Sequence, residues 1–496
     1  MSWKENLKGL RKKHNTKPSE LDWSKKTSGT PAPREARSSG IATQFAGVDA
    51  SAPHKQLVVG LDFGTAFTKV VIGEDRLRIA IPLRGRGNNT SDYLLPTVYW
   101  SSQEGLCSID SPIGKQHIDL KFSLLEGGYE DSDIQNAVAY LALVLRRVRA
   151  FIFDTKKGIY GANYIDWLVN AGLPTSSYHD ESLVSTYKRM IAAAWLVSAS
   201  GGDVTAQSIK QAWQKSRSQV KSSASELELH WEAISLFPEF VAQITGYVRS
   251  PMRQSDLHLL VDIGAGTLDA TVFNVHEVDG EDRFPIFAKA VDRLGTRYLV
   301  QSRIEGQGFE EKGEFAPFAP VPKKAVFASL LGIDVATLQR NDLPFRRRVV
   351  KAVGSILRYT KNRRHPLSRT WEEGVPVFLC GGGAGCDFYS EIFFSDNGRL
   401  SGFPIKPMKL PKPDQLEAHG LRGDDYDRLS VAYGLSFDPF DIGEIIKQDD
   451  VDDFTVEDSH SNGPGKTSKI LICPRCHGTG GKHAMCDSCG DSGYIR

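Results

Sequence analysis

An aspartate, a glycine and a threonine recur in the same order at two places in the chain. The first reads Leu57-Val-Val-Gly-Leu-Asp62-Phe-Gly64-Thr65-Ala66-Phe-Thr68-Lys69-Val-Val-Ile72. The second, two hundred positions on, reads Leu259-Leu-Val-Asp262-Ile-Gly264-Ala265-Gly266-Thr267-Leu-Asp269-Ala-Thr-Val-Phe273. Each is a β-rich apolar run ending in Asp, a Gly/Thr turn, and a second β-rich run. Glycine accepts positive φ and lets backbone N–H groups approach a phosphate with no Cβ in the way. A carboxylate beside a polyphosphate is repelled unless a divalent cation lies between them, and Mg2+ held through water calls for such carboxylates. One such hairpin reads equally well as an ordinary tight turn. Two of them suggest a clamp for a magnesium nucleotide.

A third glycine turn ends a strand of buried type, Val375-Pro-Val-Phe-Leu-Cys-Gly381-Gly382-Gly383-Ala384-Gly385. It suits close backbone contact with a flat ring or a sugar. Near the C-terminus, Cys473-Pro-Arg-Cys476 and Cys486-Asp-Ser-Cys489 form two C-x-x-C pairs separated by nine residues. Four thiolates in such knuckles meet the needs of tetrahedral Zn2+. The segment has almost no core, so the metal itself would drive its folding. Disulfides are disfavoured in a reducing cytosol, and a redox C-x-x-C belongs in a thioredoxin-like setting. His477 and His483 lie close by, outside an already complete four-sulfur shell, while Cys107, Cys380 and Cys386 read as core or turn residues.

The three glycine turns, in this order, resemble the phosphate-1, phosphate-2 and adenosine motifs of the actin, sugar-kinase and seventy-kilodalton heat-shock chaperone superfamily of ATPases. Asp262-Ile-Gly-Ala-Gly-Thr-Leu-Asp269 is most similar to the chaperone form, and Leu429-Ser-Val-Ala432-Tyr433-Gly434-Leu looks like the closing helix of the chaperone ATPase domain. The resemblance spans roughly residues 56 to 440. It implies an α/β fold of two ribonuclease-H-like lobes around a nucleotide cleft, with ATP or ADP and Mg2+ as ligands. Asp62 and Asp262 would then hold hydrated Mg2+. Gly64, Thr65, Ala66, Thr68, Gly264, Ala265, Gly266 and Thr267 would wrap the phosphates, and Gly381, Gly382, Gly383 and Ala384 would meet the adenosine.

Hydrolysis also needs a positive charge and an oriented water. Two lysines compete for the charge: Lys69, placed like the phosphate-binding lysine of actin-like members, and Lys121, in a segment resembling the one that carries the catalytic lysine of the chaperones. The water falls to Glu239 or Asp269. Heat-shock chaperones have Glu immediately before Pro here, whereas this chain has Phe237 before Pro238 and Glu239 after it, as in plasmid-segregating actin relatives. The Cys-x-x-Cys-x-Gly-x-Gly pattern, complete at Cys473 and displaced by one glycine (Gly490) at Cys489, resembles the zinc centre of J-domain co-chaperones, which grips polypeptides. The implied output is ATP-driven lobe closure coupled to binding of a protein client. A filament-forming actin-like ATPase and a pseudo-ATPase scaffold are the alternatives.

The elements that would position these residues can be read coarsely. At 496 residues the chain exceeds one core, and its net charge of +1 gives no overall pull toward nucleic acid or membrane. There is no signal-peptide apolar core and no run long enough for a membrane span, so a cytoplasmic protein is expected. Residues 1–55 read as a disordered basic tail, 56–254 as a first ATPase lobe, 255–446 as a second, 447–469 as a flexible linker and 470–496 as the zinc module. Residues 134–153 and 181–198 have helical periodicity, Tyr164–Leu173 reads as a buried strand, and 201–225 as a polar insertion. The basic stretch Arg346–Arg369 has apolar residues at helical spacing. Its charges read as a solvated face or as a surface for phosphate or nucleic acid.

Overall fold

The computed structural model describes residues 39–125, 130–174, 178, 180–218, 229–278, 281–305, 318–394, 398–442, 444–446, 448–451, 471–472 and 494–495. The chain divides into two compact units of mixed α/β structure. The first holds residues 1–246, 314–319 and 412–439, the second residues 247–313, 320–411 and 440–496.

In the first unit, β1 (His54–Phe63), β2 (Phe67–Glu74) and β3 (Leu77–Ala80) form an antiparallel meander. Next to β1 lies β4 (Tyr164–Leu173), parallel to it, and beyond that β5 (Ile234–Pro238), parallel again. Strand order is therefore β3-β2-β1-β4-β5, with Leu416–Glu417 added at the β3 edge and Leu95–Pro96 paired to β2. The seven consecutive buried residues that end β1 fit a strand covered on both faces. Leu57, Val59, Leu61 and Phe63 point into one core with Tyr140 and Val144 of α2 (Asp131–Thr155) and Trp195 of α3 (Glu181–Ala199). Each such side chain, fully buried, contributes about 2 kcal/mol. The alternate residues Gly60 and Asp62 face the other way. There the helix Ser430–Leu435 lies so close that a Cβ on Gly60 would sit 2.3 Å from the Ala432 carbonyl oxygen. Caps set the helix starts: Glu130 and Asp133 form a capping box on α2, and Asp180 accepts from the Leu183 N–H on α3 (3.0 Å).

The second unit repeats the strand order. A meander of β6 (Asp256–Ile263), β7 (Leu268–Val278) and β8 (Glu281–Asp292) is followed by β9 (Val375–Cys380), parallel to β6, and β10 (Phe403–Met408), parallel to β9. The order β8-β7-β6-β9-β10 matches that of the first unit strand for strand. The 25-residue helix Val335–Tyr359 packs on β8 and β7 and puts Phe345, Val349, Val353 and Leu357 into one core with Leu257, Leu259, Val261 and Ile263 of β6.

Several boundaries differ from those read in the sequence. The end of the basic tail, residues 39–53, packs on the first unit: Phe45 meets Phe153 edge to face at 4.8 Å, and Trp167 Nε1 donates to the Thr43 carbonyl at 2.9 Å. Two aromatic anchors are enough to hold a segment whose composition is otherwise polar. Residues 412–439 belong to the first unit although they follow the second in sequence. The polar stretch after Gly201 contains helix Ala206–Ser218, with Ile209 and Trp213 buried. Val451, at the start of the expected linker, is buried in the second core. Among the described residues, no helix is long and apolar enough to cross a membrane.

Candidate functional site

In the first unit the turn between β1 and β2 places Asp62 opposite Lys69 and Phe63 opposite Thr68. Lys69 Nζ lies 2.5 Å from Asp62 Oδ2, and Asp62 is only 5% exposed. The two residues expected to carry separate roles are thus joined in one ion pair. Gly64 is needed at the bend, because a Cβ there would come within 2.5 Å of the Phe67 carbonyl oxygen. Thr65 and Ala66 complete the turn, and a neighbouring segment pins it. The Thr97 N–H donates to the Ala66 carbonyl (2.9 Å), and the Thr97 hydroxyl to the Gly64 carbonyl (2.7 Å). Thr68 Oγ1 lies 3.2 Å from Thr97 Oγ1. Both threonines are fully buried.

The same end of this sheet gathers the other two candidates of the first unit. Lys121 stands in α1 (Leu120–Leu125) and is buried; its ammonium donates to Glu239, the first residue of α5 (Glu239–Val248), directly after β5. Burial disfavours the charge on Lys121, but Glu239, with Tyr187 and Asp62, outweighs it and holds the lysine above its ordinary pKa. Gly172 on β4 makes room for Glu239, whose Cγ would stand 2.8 Å from a Cβ at that position. Asp62, Lys69, Lys121 and Glu239 therefore converge at the carboxyl ends of the parallel strands β1, β4 and β5. In open α/β sheets that edge is where ligands bind.

The second unit builds its turn differently. Asp262 and Asp269 occupy the register that Asp62 and Lys69 hold in the first unit, and Ile263 opposes Leu268. Two carboxylates on one cross-strand pair repel, so a cation nearby favours the arrangement. The Gly264 N–H closes the turn on the Thr267 carbonyl at 2.9 Å. A second loop, Leu294-Gly295-Thr296, grips the outside of that turn as α6 (Thr296–Glu305) begins. The N–H groups of Gly295, Thr296 and Arg297 donate to the carbonyls of Gly266 (3.2 Å), Gly264 (3.1 Å) and Ala265 (2.9 Å).

The third glycine turn docks onto the same place. The Gly383 N–H donates to the Ile263 carbonyl at 2.8 Å. Gly381 has φ +82°, and a Cβ on it would fall 2.2 Å from Asp262 Oδ1; one on Gly383 would fall 2.3 Å from Ile263 Cγ2. Only glycine fits either position. Gly382 is exposed, with Ala384 half-buried behind it. The result is a backbone-lined cradle beside a carboxylate pair, which suits phosphate oxygens and a hydrated divalent ion. Among the described residues no three His, Cys, Asp or Glu side chains form a ready metal shell. The four module cysteines, Cys473, Cys476, Cys486 and Cys489, lie outside the described residues.

Thr97, Gly295 and Thr296 are the positions that the motif reading missed. Their signals, a lone threonine after proline and one Gly-Thr step before a helix, are too common to stand out. The chain matches no model of a known protein family, and no curated protein matches it.

Proposed function

We propose that this chain binds ATP with Mg2+ and hydrolyses it, each unit being a ribonuclease-H-like lobe of the actin-like ATPase fold. The observation that carries the reading is the repeat: one five-strand order occurs twice, with an acidic-glycine turn at the same place in each copy. The backbone of Gly64–Ala66 and Gly264–Thr267 wraps the phosphates, and Gly381–Ala384 meets the adenosine. Asp62, Asp262 and Asp269 are the carboxylates that would hold Mg2+ through water, where the ion would offset phosphate charge. Lys121 keeps a permanent positive charge, and Glu239, partly exposed and already hydrogen-bonded to it, has a second carboxylate oxygen to orient water.

The output proposed is of the heat-shock-chaperone type, with nucleotide state governing the grip on a protein partner. The four cysteines, as a zinc knuckle pair, are the proposed recognition element. The strands Leu471–Ile472 and Tyr494–Ile495, which pair antiparallel, bring the two ends of that segment together as a closed metal module requires.

Calorimetric titration with ATP and ADP in the presence of Mg2+, joined to phosphate-release kinetics, tests the proposal. Asp262→Ala should weaken nucleotide binding at least tenfold, whereas Lys121→Ala should keep binding and lose turnover by about 10²-fold. A parent protein that binds neither nucleotide overturns the reading. A scaffold that binds without hydrolysis is the second reading, favoured by the ion pair that already occupies Lys121; a tight ATP complex with no phosphate release would select it.

A further inference from the structure

Helix Val335–Tyr359, hereafter α7, carries an exposed charge pattern that the ATPase reading does not use. Arg340, Arg347, Lys351 and Arg358 are all exposed. Their spacings of seven, four and seven residues, at about 100° per residue, place them within about 20° of one line over about 27 Å of helix. Solvated helices ordinarily intersperse acids with bases along such a face. Here the one acid inside the helix, Asp342, turns inward, bound by Arg303 through Nε to Oδ1 (2.8 Å) and Nη2 to Oδ2 (2.7 Å). Arg340 donates to the Thr337 hydroxyl and Arg358 to the Ser401 hydroxyl. Arg347 and Lys351 have no partner among the described residues, while Arg340 feels the Asp334 carboxylate that caps the helix, the Thr337 hydroxyl lying between them. The exposed positions interspersed on that side, Pro344 and Ser355, are short, while Gly354 is buried under Ser401, which also takes the Arg358 hydrogen bond.

We propose that this face of α7 binds the phosphodiester backbone of nucleic acid. The charge is of one sign, is set out along a line and is mostly guanidinium, whose paired N–H donors match phosphate oxygens. A lipid surface fits less well, because Leu343 is the one large apolar side chain exposed beside the stripe, too little to anchor in a bilayer. An acidic polypeptide lacks the regular ladder of charge that the stripe matches. The net charge of +1 for the whole chain means that this basicity is local.

The test is fluorescence anisotropy of the full chain with a labelled 25-nucleotide strand and with its duplex, from 50 to 300 mM salt. Four phosphate contacts predict that log Kobs falls with log[salt] at a slope of about −3 to −4. The double variant R347E/K351E should lose at least tenfold in affinity and about two units of that slope, with an unchanged circular dichroism spectrum and melting temperature. The proposal is overturned if neither probe binds, or if the double variant binds as the parent does, which would put the contact on the basic tail. It is also overturned if polyglutamate or anionic vesicles bind more tightly than nucleic acid at equal charge.

Discussion

Lys69 and Asp62 were assigned to different tasks on sequence grounds, one to phosphate and one to magnesium, and the hairpin register instead places them against each other. Removing one partner of a buried pair leaves the other charge desolvated. Lys69→Met should therefore cost about 3 kcal/mol in urea unfolding, and adding Asp62→Asn should restore most of it. A second residue-scale expectation concerns His258, fully buried between Tyr247 and the Asp256 carbonyl (3.0 and 2.8 Å) and stacked on Phe273. Burial pushes its pKa down to about 4 from an ordinary 6.5. The unfolded chain takes up a proton as pH falls below about 6.5, and the folded chain does so only near 4. Stability should then be constant above that window and fall by about 3 kcal/mol across it. Urea midpoints from pH 7 to 4 measure this, and His258→Gln should flatten the slope. The acidic-glycine turns were legible through their repetition, since one Asp-Gly hairpin alone reads equally well as an ordinary tight turn. The Asp62–Lys69 pair was not legible, because it depends on which residues the turn sets opposite one another.

Among the elements, the closest packing is backbone against backbone. A Cβ on Gly434 would lie 1.9 Å from the Ala242 carbonyl oxygen of α5, and one on Gly73 would lie 1.8 Å from the Ser436 carbonyl oxygen. The helix Ser430–Leu435 is held at a distance that only glycine permits. Gly434→Ala should thus cost about 2 kcal/mol and lower the melting temperature by about 4–8 °C, measured by calorimetry. Strand Tyr164–Leu173 was predicted to the residue, because its largely apolar run is closed by Pro174. Ile234–Pro238 was not read as a strand, its five residues being too short for periodicity to mark it, and sheet pairing with β4 decides it. Helix Ala206–Ser218 escaped notice because its buried side has few apolar residues, Ile209, Ala212 and Trp213, amid polar neighbours.

For the whole molecule, the sequence displayed two similar halves but not their true membership, since nothing local marks residues 412–439 as belonging to the first unit. The zinc proposal also belongs at this scale, because the cysteines close the chain rather than a sheet. One zinc per chain is expected by elemental mass spectrometry, falling below about a tenth in Cys476→Ser. The return of residues 412–439 bears on biosynthesis. When residue 246 has left the ribosome, the face of β1 and β2 that bears Gly60 and Gly73 still lacks its cover. Nearly two hundred further residues must be made before Leu435 emerges, an interval on the order of 10–40 s at ordinary elongation rates. Throughout that interval the nascent first unit is a half-clad sheet, open to misassociation and to whatever cellular factor shields it.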